Sequence, residues 1–339
     1  MKKVILLLPI IILLVIAGYN LDLDLSDITT AAIIEPKINS YVADEGEIEV
    51  YFCPREDCAG ALVSFMDTAK EYVHCAMFEI DHPLIQEELL KKSREIEVKI
   101  VTDNDYLKEF NHSFVKIDSW GLMHNKFCVI DGKRVSSGSM NPTTNGADKN
   151  NNNLLLIESK ILTANYEAEF EEMWNGVFKK GNPVLNPNVD LVNIKVKNYF
   201  CPDDQCAEMV EEELKKAQES IYFMTFSFTH EEIGNMLALK KSEGLIVEGV
   251  MEARQVTKYS VYDFLIYNGI DVIKDGNKQN MHHKVFIIDE KTVVTGSFNP
   301  TAGGDTRNDE NVLVIEDTTI AKRFMDEYRY VREVAEGKV

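Results

Sequence analysis

Basic residues are scarce: 36 Lys and Arg stand against 56 Asp and Glu in 339 residues, for a formal charge of −20. A surface of that sign repels polyanions at long range, which argues against a protein that coats duplex DNA. A local basic cleft remains compatible, because net charge says little about a site a few residues wide at a screening length of about 8 Å. Long apolar runs are missing beyond the N-terminus. Hydrophobic residues make up 45% and charged residues 27%, which excludes multi-span membrane, collagen-like and disordered classes. There are six cysteines, and C-x4-C pairs without nearby histidines speak against zinc.

What is present is a chain long enough for two domains or one duplicated unit. Residues 1–20 carry Lys2 and Lys3 before an apolar run from Val4 to Ala17, and read as a signal peptide or N-terminal membrane anchor. The paired lysines are expected to stay inside and the folded part to be exported, with residues 21–45 as an acidic stalk. Cysteine usage agrees with export. Cys53 with Cys58 and Cys201 with Cys206 are expected as local disulfides, and Cys75 and Cys128, alone in apolar surroundings, as buried thiols.

The chain is written twice. VYFCPREDC (50–58) returns as NYFCPDDQC (198–206), and MHNKFCVIDGKRVSSGSMNPT (123–143) returns as MHHKVFIIDEKTVVTGSFNPT (281–301). The second copy is ten residues longer between these blocks. Each copy alternates helices with near-continuous apolar strands such as VKIVT (98–102) and VEGVM (247–251), the pattern of an α/β fold with buried strands. Aromatics at helical spacing (Tyr166, Phe170, Trp174; Phe324, Tyr328) mark a closing core helix in each. This divides the chain into a first repeat over 46–181, an Asn- and Pro-rich linker over 182–193 and a second repeat over 194–339.

The second block carries the chemistry. His124-x-Lys126 is followed by Asp131 and by Gly138-Ser139-x-Asn141; its twin is His282-x-Lys284, Asp289 and Gly296-Ser297-x-Asn299. Residues two apart on a strand share a face, so each His and Lys project together. A hairpin at Asp131-Gly132 folds the serine and asparagine back beside them. Lysine supplies positive charge to phosphoryl oxygens, and Ser and Asn supply directed hydrogen bonds. Two such half-sites face to face put two imidazoles around one phosphorus, one for attack and one for the leaving group.

These residues resemble the HxK-x4-D-x6-GSxN signature of the phospholipase D superfamily, present twice with identical spacing. The resemblance implies a duplicated α/β sandwich, with two pseudo-twofold-related lobes of mixed sheets flanked by helices and one active site between them. It also implies phosphodiester cleavage through a phosphohistidine, with no metal or cofactor. By the same resemblance His124 and His282 are nucleophile and general acid, and Lys126, Lys284, Asn141 and Asn299 bind phosphate. Ser139 and Ser297 orient neighbours in the phosphate site, and Asp131 and Asp289 support the hairpins.

The family pattern further places a carboxylate downstream to orient each histidine. Glu310 fits that place for His282, and Asn152 stands in the corresponding place for His124, with Asp148 an alternative partner. A carboxylate favours imidazolium, whereas an amide orients the ring without holding a proton on it, which assigns His124 to attack and His282 to protonation. Three substrate readings follow: a phospholipid headgroup ester, DNA or RNA, and phosphate binding without catalysis. The acidic body and the membrane segment favour lipid, and a monomer suffices because one chain holds both half-sites.

Overall fold

The computed structural model describes residues 40–118 and 121–339. The expected signal or anchor segment and the stalk up to residue 39 lie outside the described residues. Among the described residues no helix is long and apolar enough to cross a membrane.

Residues 41–339 form one compact unit. In the first repeat the strands are β1 (Val42–Ala43), β2 (Ile48–Cys53), β3 (Tyr72–Met77), β4 (Glu97–Thr102), β5 (Val115–Ile117), β6 (Lys126–Ile130), β7 (Arg134–Gly138) and β8 (Asn152–Glu158). Its helices are α1 (Cys58–Asp67), α2 (Pro83–Lys92), α3 (Thr144–Asp148) and α4 (Lys160–Trp174). The second repeat supplies β9 (Asn188–Leu191), β10 (Ile194–Cys201), β11 (Ser220–Thr225), β12 (Ile246–Met251), β13 (Asp271–Lys274), β14 (Lys284–Ile288), β15 (Thr292–Gly296) and β16 (Glu310–Glu316). Its helices are α5 (Cys206–Lys215), α6 (Glu231–Ser242), α7 (Tyr262–Tyr267), α8 (Ala302–Thr306) and α9 (Thr318–Ala335).

Both sheets are mixed and share one strand order. The first runs β2-β8-β7-β6-β3-β4-β5, and the second runs β10-β16-β15-β14-β11-β12-β13 with β9 and β1 added outside β10. The duplicated α/β architecture expected from the sequence is therefore present, and the ten additional residues of the second repeat include α7. Two segments differ from expectation. Residues 42–43, assigned to the stalk, and 188–191, assigned to the linker, pair in parallel as β1 and β9. Val189 and Leu191 alternate inward and are fully buried, which ties this segment to the sheet.

One core lies between the sheets, where Phe127, Val129, Val285 and Ile287 meet Tyr166 and Phe170 of α4 and Phe324 and Tyr328 of α9. Both helices start on a side-chain cap: Ser159 accepts the Leu162 N–H and Asp317 accepts the Ile320 N–H. The outer faces are covered by α1 and α2 in one repeat and by α5, α6 and α7 in the other. Disulfides join Cys53 to Cys58 and Cys201 to Cys206 as expected. Cys75 and Cys128 correct the expectation of two free thiols. They lie directly opposite each other on antiparallel β3 and β6, with Cα atoms 4.1 Å apart, and are joined.

Candidate active site

Asp131 and Asp289 end β6 and β14 with left-handed backbone, φ 53° and 52°. The Asp131 carboxylate accepts the N–H groups of Lys70, Glu71 and Tyr72, and Asp289 accepts those of Gln218, Glu219 and Ser220. Each aspartate thus fixes the entry to the neighbouring strand. Gly138 and Gly296 close the hairpins at φ 127° and 140°, where an added Cβ would meet the carbonyl oxygens of Asn153 and Asn311 at 2.5 and 2.3 Å. Close approach there is to the neighbouring strand, and it seats Ser139 and Ser297.

Both motif lysines open a strand and fold back on their own histidine. Lys126 Nζ donates to the His124 carbonyl at 2.5 Å, and Lys284 Nζ to the His282 carbonyl at 2.7 Å. Phe78, just beyond β3, stands edge-on to His124 at 4.9 Å and lies 5.1 Å from Lys126 Nζ. Phe226 repeats this with His282 at 4.6 Å and Lys284 at 5.1 Å. Neither phenylalanine was marked in the sequence, although both follow an apolar strand at the same point of the repeat.

The repeats interlock through backbone bridges. The His124 N–H donates to the Asp309 carbonyl at 3.0 Å, and the His282 N–H donates to the Asn151 carbonyl at 2.8 Å. Each imidazole therefore meets the next residue of the other repeat. Glu310 Oε2 lies 2.7 Å from His124 Nδ1, and Asn152 Oδ1 lies 2.9 Å from His282 Nδ1. The expected pairing of Glu310 with His282 and of Asn152 with His124 is thus reversed. The cause is that each histidine loop is held by the strand start of its sister repeat and not by its own.

The serines hold these partners in place. Ser139 Oγ donates to Asn152 Oδ1 and accepts the Asn153 N–H, while Ser297 Oγ accepts the Asn311 N–H. Both serines are fully buried among these neighbours. Asn152 Nδ2 donates to the Gly146 carbonyl, which turns Oδ1 toward His282. The neutral His282 ring then carries its hydrogen on Nδ1. Asn141 Nδ2 donates to Glu79 Oε1 at 2.6 Å.

The middle residues of the motifs point the opposite way, into the contact between repeats. Asn125 Oδ1 accepts from Asn311 Nδ2 at 2.7 Å, and His283 Nδ1 lies 3.2 Å from Asn153 Nδ2. His283 is fully buried, with Nε2 3.1 Å from Glu327 Oε1, a packing role. His74, His82, His112 and His230 lie outside the motifs; His74 is buried between Glu167 and Glu97.

Charge in the site is crowded. Burial, with Lys126 and then Lys284 beside it, holds His124 well below the ordinary imidazole range. Burial, with Lys284, Lys126 and His124, does the same to His282. Burial lowers Lys126 to about 7, against the pull of Glu310, Glu79 and Asp103, and lowers Lys284 strongly. Burial raises Glu310 to about 7, opposed chiefly by Lys126. Cations of both repeats thus act on the same imidazoles and the same carboxyl group, a cluster complementary to one bound anion.

A fold of two like halves that gathers the motif histidines and lysines of both into one cluster defines an enzyme acting on phosphodiesters. The chain belongs to the phospholipase D superfamily: the family described as "Cardiolipin synthase, PLD-like domain" matches residues 62–174 and 210–332. Phospholipase D of Rickettsia conorii is 34% identical over 140 residues, covering 41% of this chain and 70% of that protein. Mitochondrial cardiolipin hydrolase of Xenopus tropicalis is 30% identical over 133 residues, covering 36% of this chain and 63% of its own. Among solved structures, phosphatidylserine synthase of Haemophilus influenzae Rd KW20 has a TM-score of 0.64 at 12% identity, over 85% of this chain and 86% of that one.

Proposed function

We propose that the protein hydrolyses the headgroup ester of a phospholipid through a phosphohistidine on His124. The crossed hydrogen bond from His124 Nδ1 to Glu310 carries this assignment. Attack by Nε2 on phosphorus turns the imidazole into a phosphoimidazolium cation, and a carboxylate on Nδ1–H stabilises that charge as it develops. His282, with only an amide on Nδ1, is the stronger acid once protonated. It gives its Nε2 proton to the departing alcohol as the P–O bond breaks. Water then attacks phosphorus, returns a proton to His282 Nε2 and releases the His124 lone pair. Lys126, Lys284, Asn141 and Asn299 hold the non-bridging oxygens. His124 keeps the role the sequence assigned to it, for the opposite physical reason.

Three carboxyl groups beside the first half-site support a lipid over a nucleic-acid strand. Glu79 bonds Asn141, and burial together with Glu109 and Asp81 bears on it; burial and Asp81 raise Glu109 in turn. A strand carrying flanking phosphates meets repulsion there at several charges, and a single phosphodiester meets less. The second repeat has Ser227 and Thr229 at the places of Glu79 and Asp81, since Thr229 and His230 bond the Pro300 carbonyl as Asp81 and His82 bond that of Pro142. In this reading the chain is exported by its N-terminal segment and acts as a monomer at a membrane. Three disulfides and two half-sites in one chain support that.

The test is full-length protein with phosphatidylcholine or cardiolipin vesicles and with a single-stranded oligonucleotide, each with chelator present. Headgroup release that His124→Ala abolishes is expected. Oligonucleotide cleavage with inert lipid would replace the lipid reading with the nuclease one, and inactivity on both in a folded protein would leave a phosphate-binding module. Loss of activity on chelation would refute the metal-independent mechanism.

A further inference from the structure

The His124–Glu310 pair rests on a buried ion cluster that the reaction above does not use. Lys179 follows α4 at the end of the first repeat, with φ 56°. Its Nζ lies 2.9 Å from Asp118 Oδ2 and 3.1 Å from Asp309 Oδ2, and its backbone N–H donates to Asp309 Oδ1 at 2.6 Å. All three side chains are buried, none more than 4% exposed. The stem passes Gly121, where an added Cβ would lie 2.8 Å from Lys179 Cε. Asp309 is the residue whose carbonyl holds the His124 N–H, and its own N–H donates to the Leu122 carbonyl at 3.0 Å. Glu310 is the next residue along.

The second half-site is braced differently. There Asn151 takes the place of Asp309, and its Oδ1 accepts from Asn277 Nδ2 at 2.6 Å. A neutral amide thus braces the loop of His282, and an ammonium braces the loop of His124. Charged groups facing Asp309 are Lys179, Asp118 and the buried Glu169. With two carboxylates on one cation, removing the cation leaves uncompensated buried charge.

We propose that Lys179 is a positioning residue that holds Asp309, and through it sets the His124 imidazole against the Glu310 carboxylate. The role rests on the phosphohistidine reading, because it concerns the nucleophile of that mechanism. Misplacing a reacting group by about 1 Å costs up to about 100-fold in rate.

The test uses full-length Lys179→Met, Asp309→Asn and the double variant, with bis(p-nitrophenyl) phosphate as probe. Each single variant is expected to lower kcat about 10- to 100-fold with KM within about threefold, and the double variant to be no worse than either. The acidic limb of the pH profile is expected to move upward in Lys179→Met, because Asp309, the neighbour of Glu310, loses the cation that opposes its burial. Nitrogen-15 NMR of the imidazoles gives a readout independent of turnover: the His124 Nδ1–H resonance shifts and that of His282 does not. The double variant removes both charges and keeps the test open if Lys179→Met does not fold. Wild-type kcat, pH profile and His124 resonance in a folded variant would overturn the positioning role alone. A wild-type protein no more active than His124→Ala would instead sink the mechanism, with the NMR comparison still deciding the clamp.

Discussion

Glu310 of the second repeat hydrogen-bonds His124 of the first at 2.7 Å, while His282 receives only the amide oxygen of Asn152. The two halves of the site are therefore chemically unequal despite their shared backbone plan. Acid quenching during turnover, followed by mass spectrometry, should find phosphate on His124. Label on His282 would reverse the assignment.

Replacing Glu310 by Gln should lower kcat about 100-fold or more, the scale of removing one preorganised electrostatic group. Asn152→Asp should act differently, since a new carboxylate on His282 Nδ1 makes it a weaker acid. Its defect is expected to be larger for substrates with poor leaving groups such as alkyl alcohols than for nitrophenyl esters. Equal defects on both leaving groups would contradict the acid role of His282.

Wild-type kcat/KM should be bell-shaped, with its optimum on the acid side of neutrality. The acidic limb reports Glu310, raised to about 7, whose ionised form is needed; the alkaline limb reports loss of the His282 imidazolium that serves as acid, held below the ordinary imidazole range by burial and the two lysines, followed by loss of the Lys126 ammonium, lowered to about 7. In the kcat profile the bound diester anion stabilises the ammonium, so the alkaline limb should move to higher pH. Glu310→Gln should erase the acidic limb while leaving the alkaline one.

Glu79→Gln should relax discrimination by charge. With the carboxylate beside Lys126 and Asn141 removed, kcat/KM on anionic diesters such as cardiolipin or an oligonucleotide should rise about three- to tenfold, an effect that shrinks with added salt. A uniform fall on all substrates would show that Glu79 serves only to hold Asn141.

The disulfides should contribute unequally to stability. Cys75–Cys128 closes a separation of 53 residues, against 5 for Cys53–Cys58, which corresponds to about 4 against about 2 kcal/mol of unfolded-chain entropy. Paired alanine variants compared by urea denaturation should rank in that order, and equal midpoints would show that strain or residual structure dominates.

Much of this was legible in the chain itself. The duplicated blocks carried the twofold α/β plan, the aspartates at the hairpin turns and the two local disulfides, because each depends on residues close in sequence. What could not be read depends on which strand lies across from which. Cys75 and Cys128 looked solitary because β3 and β6 pair only after β4 and β5 have been placed on the other side. The partners of His124 and His282 were exchanged because the bridges at Met123–Asp309 and Asn151–Met281 run between repeats, which no spacing within one repeat encodes. Phe78 and Phe226 lacked a polar signature and passed as core. Glu79 stood out only when its place was set beside Ser227.

The exchanged bridges leave neither repeat self-sufficient. A half expressed by itself would keep its hairpin and its HxK strand, yet its imidazole loop would have no carbonyl to hang from and no acceptor at Nδ1. Once the duplicated halves had fused in this way, each became scaffolding for the other's chemistry, so a loop insertion before β8 or β16 would disable the histidine of the opposite half first.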